Sequence, residues 1–165
     1  MNSVIEIKMG GLAIIDDETD ELKTFVGSCV AFCLFDAQAK VAAMAHVMLP
    51  RKTNSKSNSV NDEVGKFADV AFAYMVDKMI SKGADLKRIR AKIAGGATIF
   101  SHESEISLFN IGTRNISEIK QILKENDIPI VSEDIGENFG RWVKFNLNST
   151  KMTIISNFKK TEKSI

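Results

Sequence analysis

The segment that decides the fold reads TFVGSCVAFCLF over residues 24–35 and VAAMAHV over residues 41–47. Gly27 separates two apolar runs, which predicts two strands with a bend between them. A polar turn then leads into a third strand, which carries His46. Facing side chains on neighbouring antiparallel strands have Cβ atoms about 4.5–5.5 Å apart. The pattern therefore predicts that the thiol of Cys29 and the imidazole of His46 lie close together.

The composition is that of one globular domain. The chain has 165 residues, of which 44% are hydrophobic and 26% charged, with a formal net charge of +1. We expect a single domain over residues 1–158 and a short flexible tail over residues 159–165. The balanced charge argues against a nucleic-acid partner. No apolar run reaches the roughly 20 residues that a membrane span needs, and the start of the chain does not resemble a secretory signal. These features predict no membrane insertion and a cytoplasmic location, where the two cysteines remain free thiols.

The first third of the chain is predicted to be a compact β-meander that ends at Pro50. The polar segment 51–62 is a long loop, which is either functional or mobile. Apolar residues at helical spacing predict a helix over residues 62–82, with Asn61 or Asp62 as its cap and Gly83 at its end.

A second, shorter helix is predicted over residues 116–126. Asn115 and Glu118 have the spacing of a capping box at its start. Strands precede and follow this helix, and residues 141–155 are predicted to form a hairpin. The fold class is therefore α/β of the α+β type, with a mixed or antiparallel sheet system covered by the two helices.

Cys29 has two interpretations. Most free cysteines are small buried hydrophobic residues. Against this, Cys29 follows a glycine at the start of a strand, where its side chain can face a cleft. The backbone N–H groups around Gly27 and Ser28 are also candidates to bind substrate by stabilising an oxyanion. A nucleophile at this position would label readily at neutral pH because of a lowered pKa, whereas Cys33, deep in the apolar run, would be inert.

His46 is either a structural histidine or the base that activates Cys29. The other histidine, His102, lies in a polar stretch and is expected in a solvated loop. Neither the histidines nor the cysteines have the spacing of a zinc site. The Gly95–Gly96 pair lacks the motifs of a phosphate-binding loop. We therefore expect neither a zinc site of that spacing nor a nucleotide site.

Four short motifs carry a resemblance to a known family. They read GSCV at 27–30, MAHVMLP at 44–50, KIAGGA at 92–97 and NIGTRN at 110–115. Together they resemble the CheD family of chemoreceptor glutamine deamidases, in order and in separation, over about residues 10–155. The sequence departs from that family at Ala42–Ala43, where glycines are usual, and at residues 134–137, which bear on substrate fit.

The resemblance implies a function and a site. Members of the family convert glutamines of methyl-accepting chemotaxis receptors to glutamate and release ammonia, through a Cys-His-Thr triad without a cofactor. On this sequence, Cys29 would be the nucleophile, His46 the base and Thr24 the residue that orients the histidine. The implied fold has layered β-sheets with helices packed on one side, as in deamidating cysteine hydrolases.

The resemblance also implies partners other than the receptors. A CheC-type phosphatase is one, so the protein could instead work as a chemotaxis adaptor that needs no catalysis. Deamidation of another protein is a more distant alternative. An intact pair of Cys29 and His46 favours the enzyme, since an adaptor would need neither.

Overall fold

Two five-stranded β-sheets lie face to face, and two helices cover the outer face of one of them. The computed structural model describes residues 3–17, 20–52, 63–99 and 110–165. Sheet 1 has the order β1-β3-β8-β9-β10, and sheet 2 has the order β2-β5-β4-β6-β7. The predicted fold class, with layered sheets and the helices on one side, is confirmed.

The strands of sheet 1 are β1 (Val4–Glu6), β3 (Glu21–Val26), β8 (Arg141–Asn146), β9 (Lys151–Ser156) and β10 (Thr161–Ser164). The strands of sheet 2 are β2 (Leu12–Ile15), β4 (Val30–Asp36), β5 (Val41–Val47), β6 (Arg90–Gly95) and β7 (Ile130–Ile135). The helices are α1 (Ala68–Ser81) and α2 (Ile111–Glu125). None of the helices in the described ranges is long and apolar enough to cross a membrane.

The central strands β4 and β5 of sheet 2 are buried on both faces, which explains their continuous apolar sequences. Every residue of β4 and β5 is buried. Alternate residues of β4, such as Phe32 and Leu34, pack against α1 and α2. The residues between them, such as Ala31 and Cys33, pack against sheet 1. A strand in the middle layer has no polar face, because neither side meets water.

The predicted β-meander is wrong, because the first strands separate into two sheets. β3 pairs with β8 in sheet 1, whereas β4 pairs with β5 and β6 in sheet 2. The chain crosses from one sheet to the other through the bend at residues 27–29. The sequence signalled this bend at Gly27 but could not show that it separates two sheets.

The predicted start of the first helix is also wrong. The helix α1 begins at Ala68, with Phe67 as its N-cap residue, while the proposed caps Asn61 and Asp62 lie outside the described residues. Gly65 packs so closely against the backbone of Gly11 that a side chain would collide with it. This close approach holds residues 64–66 in a turn rather than in a helix. The predicted end is confirmed, because Gly83 has a φ of +98°, as expected beyond a helix C-terminus.

The proposed capping box at the second helix is wrong as well. The helix α2 begins at Ile111, so Asn115 lies inside it, and its N-cap residue is Asn110. Asn115 is fully buried instead of facing water at a helix end. The C-terminal hairpin is confirmed as β8 and β9.

The expected flexible tail over residues 159–165 differs from the structure. Thr161–Ser164 form β10, which pairs antiparallel with β9. Ile165 exchanges two backbone hydrogen bonds with Met152, of 2.9 and 3.1 Å. A tight turn in which Lys160 has a φ of +50° lets the polar end of the chain return to the sheet edge.

Candidate active site

The site lies between the two sheets, where the chain crosses from β3 to β4. Ala31 on β4 pairs with His46 on β5. Cys29 precedes Ala31 by two residues and packs, like Ala31, against the core between the sheets. The cysteine and the histidine are therefore diagonal neighbours on one face of sheet 2 rather than directly opposite residues. Cys29 is half-buried and His46 is 3% exposed.

Thr24 of sheet 1 reaches across to His46 of sheet 2. Its Oγ1 lies 2.7 Å from Nδ1 of the histidine and 2.8 Å from the carbonyl oxygen of Ile7, to which it donates. A hydroxyl group has only one proton to donate. Because that proton goes to Ile7, the Nδ1–H of His46 must be the donor to Thr24. The Nε2 atom is then unprotonated and can accept a proton from a thiol.

The backbone of His46 is held by a pair of glycines. Its N–H donates to the carbonyl of Gly11 at 2.9 Å, and its own carbonyl accepts from the N–H of Gly10 at 3.1 Å. Gly10 has a φ of +73°, a left-handed conformation that other residues adopt only with strain. Hydrogen bonds therefore fix both the backbone and the imidazole ring of His46.

Burial keeps both reacting groups neutral at pH 7. It lowers the pKa of His46 to about 4 and raises the pKa of the Cys29 thiol. The resting pair is consequently a thiol and a neutral imidazole, not a thiolate–imidazolium ion pair. This differs from the lowered thiol pKa that we expected for a nucleophile. Cys33 is fully buried, and burial also raises its pKa, as expected for an inert core residue.

The bend at residues 27–29 uses its carbonyl groups and leaves its N–H groups available. The carbonyls of Gly27 and Cys29 accept from the N–H groups of Ala97 and Gly96, each at 2.9 Å. The carbonyl of Ser28 accepts from the side chain of Asn115 at 3.4 Å. None of the described residues accepts a hydrogen bond from the N–H groups of the bend itself. Within the described ranges, these N–H groups are thus available to donate to a substrate oxygen.

Glycines make the close contact behind the bend possible. Gly95 has a φ of +112°, and a Cβ atom there would collide with the carbonyl oxygen of Cys29. Gly96 has a φ of +69°, and a Cβ atom there would collide with Ile116 of α2. The glycine pair thus lets the backbone at Cys29 and the helix α2 pack closely against the end of β6.

Sequence reasoning missed one polar residue of this region. The Nδ2 atom of Asn115 donates to the carbonyl of Met48 at 3.1 Å, as well as to Ser28. We had interpreted Asn115 as a helix cap and so did not assign it to the site, although it is the last residue of the NIGTRN motif. His102 lies outside the described residues. Among the residues that the structure describes, no cluster of three or more His, Cys, Asp or Glu side chains could hold a metal ion.

The comparisons with known proteins identify the family of the chain. The family description "CheD chemotactic sensory transduction" matches residues 48–156, a range that begins after Cys29 and His46. Curated relatives cover the rest of the site.

Three of these relatives bear the name "Chemoreceptor glutamine deamidase CheD". The protein of Halalkalibacterium halodurans is 36% identical over 93% of this chain and 94% of the relative. That of Thermotoga maritima is 38% identical over 90% and 88%, and that of Bacillus licheniformis is 37% identical over 92% and 89%. The chain belongs to the CheD family.

Proposed function

We propose that this protein is a protein-glutamine deamidase that converts glutamine side chains of chemoreceptors to glutamate and releases ammonia. The observation that carries the proposal is the hydrogen bond between Thr24 and His46, which leaves Nε2 of the histidine ready to take the proton of Cys29. The names of the relatives supply the substrate class.

The first half of the reaction acylates Cys29. As the substrate binds, Nε2 of His46 takes the thiol proton, and the thiolate sulfur attacks the carboxamide carbon of the glutamine. The carbonyl oxygen becomes an oxyanion, which the N–H groups of residues 27–29 can stabilise by about 3 kcal/mol. The histidine then gives its proton to the amide nitrogen, the C–N bond breaks and ammonia leaves. The product is a thioester between the receptor and Cys29.

The second half hydrolyses this thioester. His46 accepts a proton from a water molecule, whose oxygen attacks the thioester carbon. The C–S bond breaks, the sulfur recovers the proton and glutamate is released. Thr24 keeps the imidazole in one tautomer through both halves. Because its hydroxyl is neutral, unlike a carboxylate, it does not raise the pKa of the histidine. The imidazolium formed on the way is therefore a strong acid that readily protonates the leaving nitrogen.

The same proposal includes a cytoplasmic location and a CheC-type phosphatase as a second partner. The location rests on the sequence features given above, and the phosphatase on the resemblance to the family. If wild-type protein binds a receptor fragment without altering its mass, the adaptor function is the better description.

The decisive experiment uses a purified chemoreceptor fragment from the same organism. We expect wild-type protein to release ammonia and to give the mass increase that replacement of an amide by an acid produces, measured by peptide mass spectrometry. Cys29→Ala should abolish both signals while its melting temperature stays near that of the wild type. Cys33→Ala is the matched control, since it removes a thiol that faces only the core, and it should remain active. Activity of the Cys29→Ala protein would contradict the proposed nucleophile.

A further inference from the structure

We infer that Asn115 is a positioning residue that holds the Cys29 bend in its reactive geometry. The inference rests on the proposed function for its kinetic part only. Asn115 lies in α2 and is fully buried, although asparagine is a polar residue and the helix offers no unsatisfied backbone group at this position.

One amide group joins the two strands that carry the catalytic pair. The Nδ2 atom donates to the carbonyl of Ser28, the residue before Cys29, and to that of Met48, two residues after His46. The last backbone pair between these strands is Val30 with Val47. Asn115 therefore provides the next cross-link, beyond the end of the ladder, where the nucleophile leaves the sheet.

The helix that carries Asn115 is itself fixed to the bend. Gly112 lies so close to the carbonyls of Gly96 and Ala97 that a Cβ atom there would collide with them. Gly96 and Ala97 in turn donate to the carbonyls of Cys29 and Gly27. All three carbonyls of the bend are thus anchored on α2 or on the segment packed against it, and Asn115 is the only side chain among the described residues that donates to them.

The cost of this arrangement argues for a functional role. The Oδ1 atom of Asn115 is buried and has no hydrogen-bond partner among the described residues. An unpaired buried acceptor destabilises the folded state, and an apolar residue of similar size would avoid it. The side chain is best explained by its two donated bonds, which direct the N–H groups of the bend away from α2 and toward the substrate side.

The test is Asn115→Leu, which keeps the size and removes both donors. The carbonyls of Ser28 and Met48 would then lose their donor and form hydrogen bonds with water, and the bend would move away from α2. We expect kcat for deamidation to fall at least about tenfold with KM within about twofold, since small displacements of reacting atoms cost large factors in rate. We also expect Cys29 to react several-fold faster with iodoacetamide at pH 8, because the thiol becomes more exposed.

The matched control is Ile119→Ala, one turn further along the buried face of α2 and away from the bend. It should lower the melting temperature while leaving kcat and the labelling rate of Cys29 near the wild-type values. Asn115→Asp keeps the shape, replaces the donor group by an acceptor and should reproduce both changes of Asn115→Leu.

Three results would overturn the inference. The first is a wild-type kcat and labelling rate in the Asn115 variants, and the second is equal changes in the Ile119→Ala control. The third is failure of both Asn115 variants to fold, because a general structural role would then be sufficient. The labelling rates need no receptor, so they test the position of Cys29 even if the proposed deamidation fails.

Discussion

At the scale of single residues, the candidate site is a thiol and an imidazole that burial keeps neutral. Among the residues that the structure describes, no carboxylate bonds to the imidazole. Instead, the hydroxyl of Thr24 accepts from Nδ1 of His46 and passes its own proton to a carbonyl group. The tautomer is thus set by a chain of two hydrogen bonds that contains no charge.

Thr24→Val tests this chain of hydrogen bonds. Valine has the same shape but leaves the Nδ1–H of His46 and the carbonyl of Ile7 without a partner. We expect kcat to fall by about 10- to 100-fold and the free energy of unfolding to drop by about 1–3 kcal/mol. Ammonia release and urea denaturation measure the two effects. Thr24→Ser, which keeps the hydroxyl, should retain most of the activity. An unchanged kcat in the valine variant would show that Thr24 does not orient the histidine.

The pKa values predict an unusual pH dependence for the free enzyme. Because burial raises the pKa of Cys29, its alkylation by iodoacetamide should be slow at pH 7 and should still increase above pH 9.0, the ordinary pKa of the thiol. A plateau at neutral pH would instead indicate a preformed ion pair. Mass spectrometry after timed labelling separates Cys29 from Cys33, which should not react in the folded protein.

The acid limb follows from His46, whose pKa is lowered from 6.5 to about 4. A lowered pKa means that the folded protein favours neutral His46. The stability that neutral His46 contributes to the folded state is fully present above pH 6.5 and is lost as the pH falls toward 4. The kcat/KM for deamidation should therefore be nearly constant down to about pH 5 and fall to half of its plateau near pH 4. A fall to half already near pH 6.5 would contradict the lowered pKa.

At the scale of elements, apolar patterns predicted where most strands lie but not which strands pair. The pattern placed β4 and β5 almost to the residue, since a strand buried on both faces is a continuous apolar run. Sheet membership depends on contacts between distant parts of the chain, such as β3 with β8, and no local pattern encodes it.

The predicted starts of both helices were wrong for a related reason. Asn115 fits a cap by residue type and spacing, yet tertiary contacts bury it within α2. The predicted helix included Gly65, but this residue lies in a turn before α1 because it packs against the backbone of Gly11. The candidate triad was the opposite case. Cys29 and His46 are adjacent in one hairpin and could be proposed from local sequence, whereas Thr24 needed the family resemblance because it belongs to the other sheet.

At the scale of the whole molecule, the end of the chain is part of the sandwich. Lys92 of β6 is 8% exposed, and its Nζ donates to the carbonyls of Thr150 and Ile165 at 2.6 and 2.8 Å. The side chain of Ile165 packs against the core between the sheets. Residues 159–165 therefore cover one end of that core and satisfy a buried cation.

Deletion of residues 159–165 should lower the free energy of unfolding by about 2–3 kcal/mol, because it leaves Lys92 with one partner fewer and removes a strand from sheet 1. Urea denaturation followed by circular dichroism measures the change. Glu162→Gln, an exposed change in the same segment, is the control and should have little effect. An unchanged midpoint for the deleted protein would support the dispensable tail that composition predicts.

The hydrogen bond between Thr24 and His46 has a consequence for synthesis. Each sheet contributes part of the proposed catalytic set, and Thr24 is held by a strand whose antiparallel partner, β8, comes more than a hundred residues later. A nascent chain that already displays Cys29 and His46 still lacks an oriented imidazole until β8 has emerged from the ribosome. On the proposed mechanism, deamidation therefore begins only after β8 has been synthesised and has paired with β3.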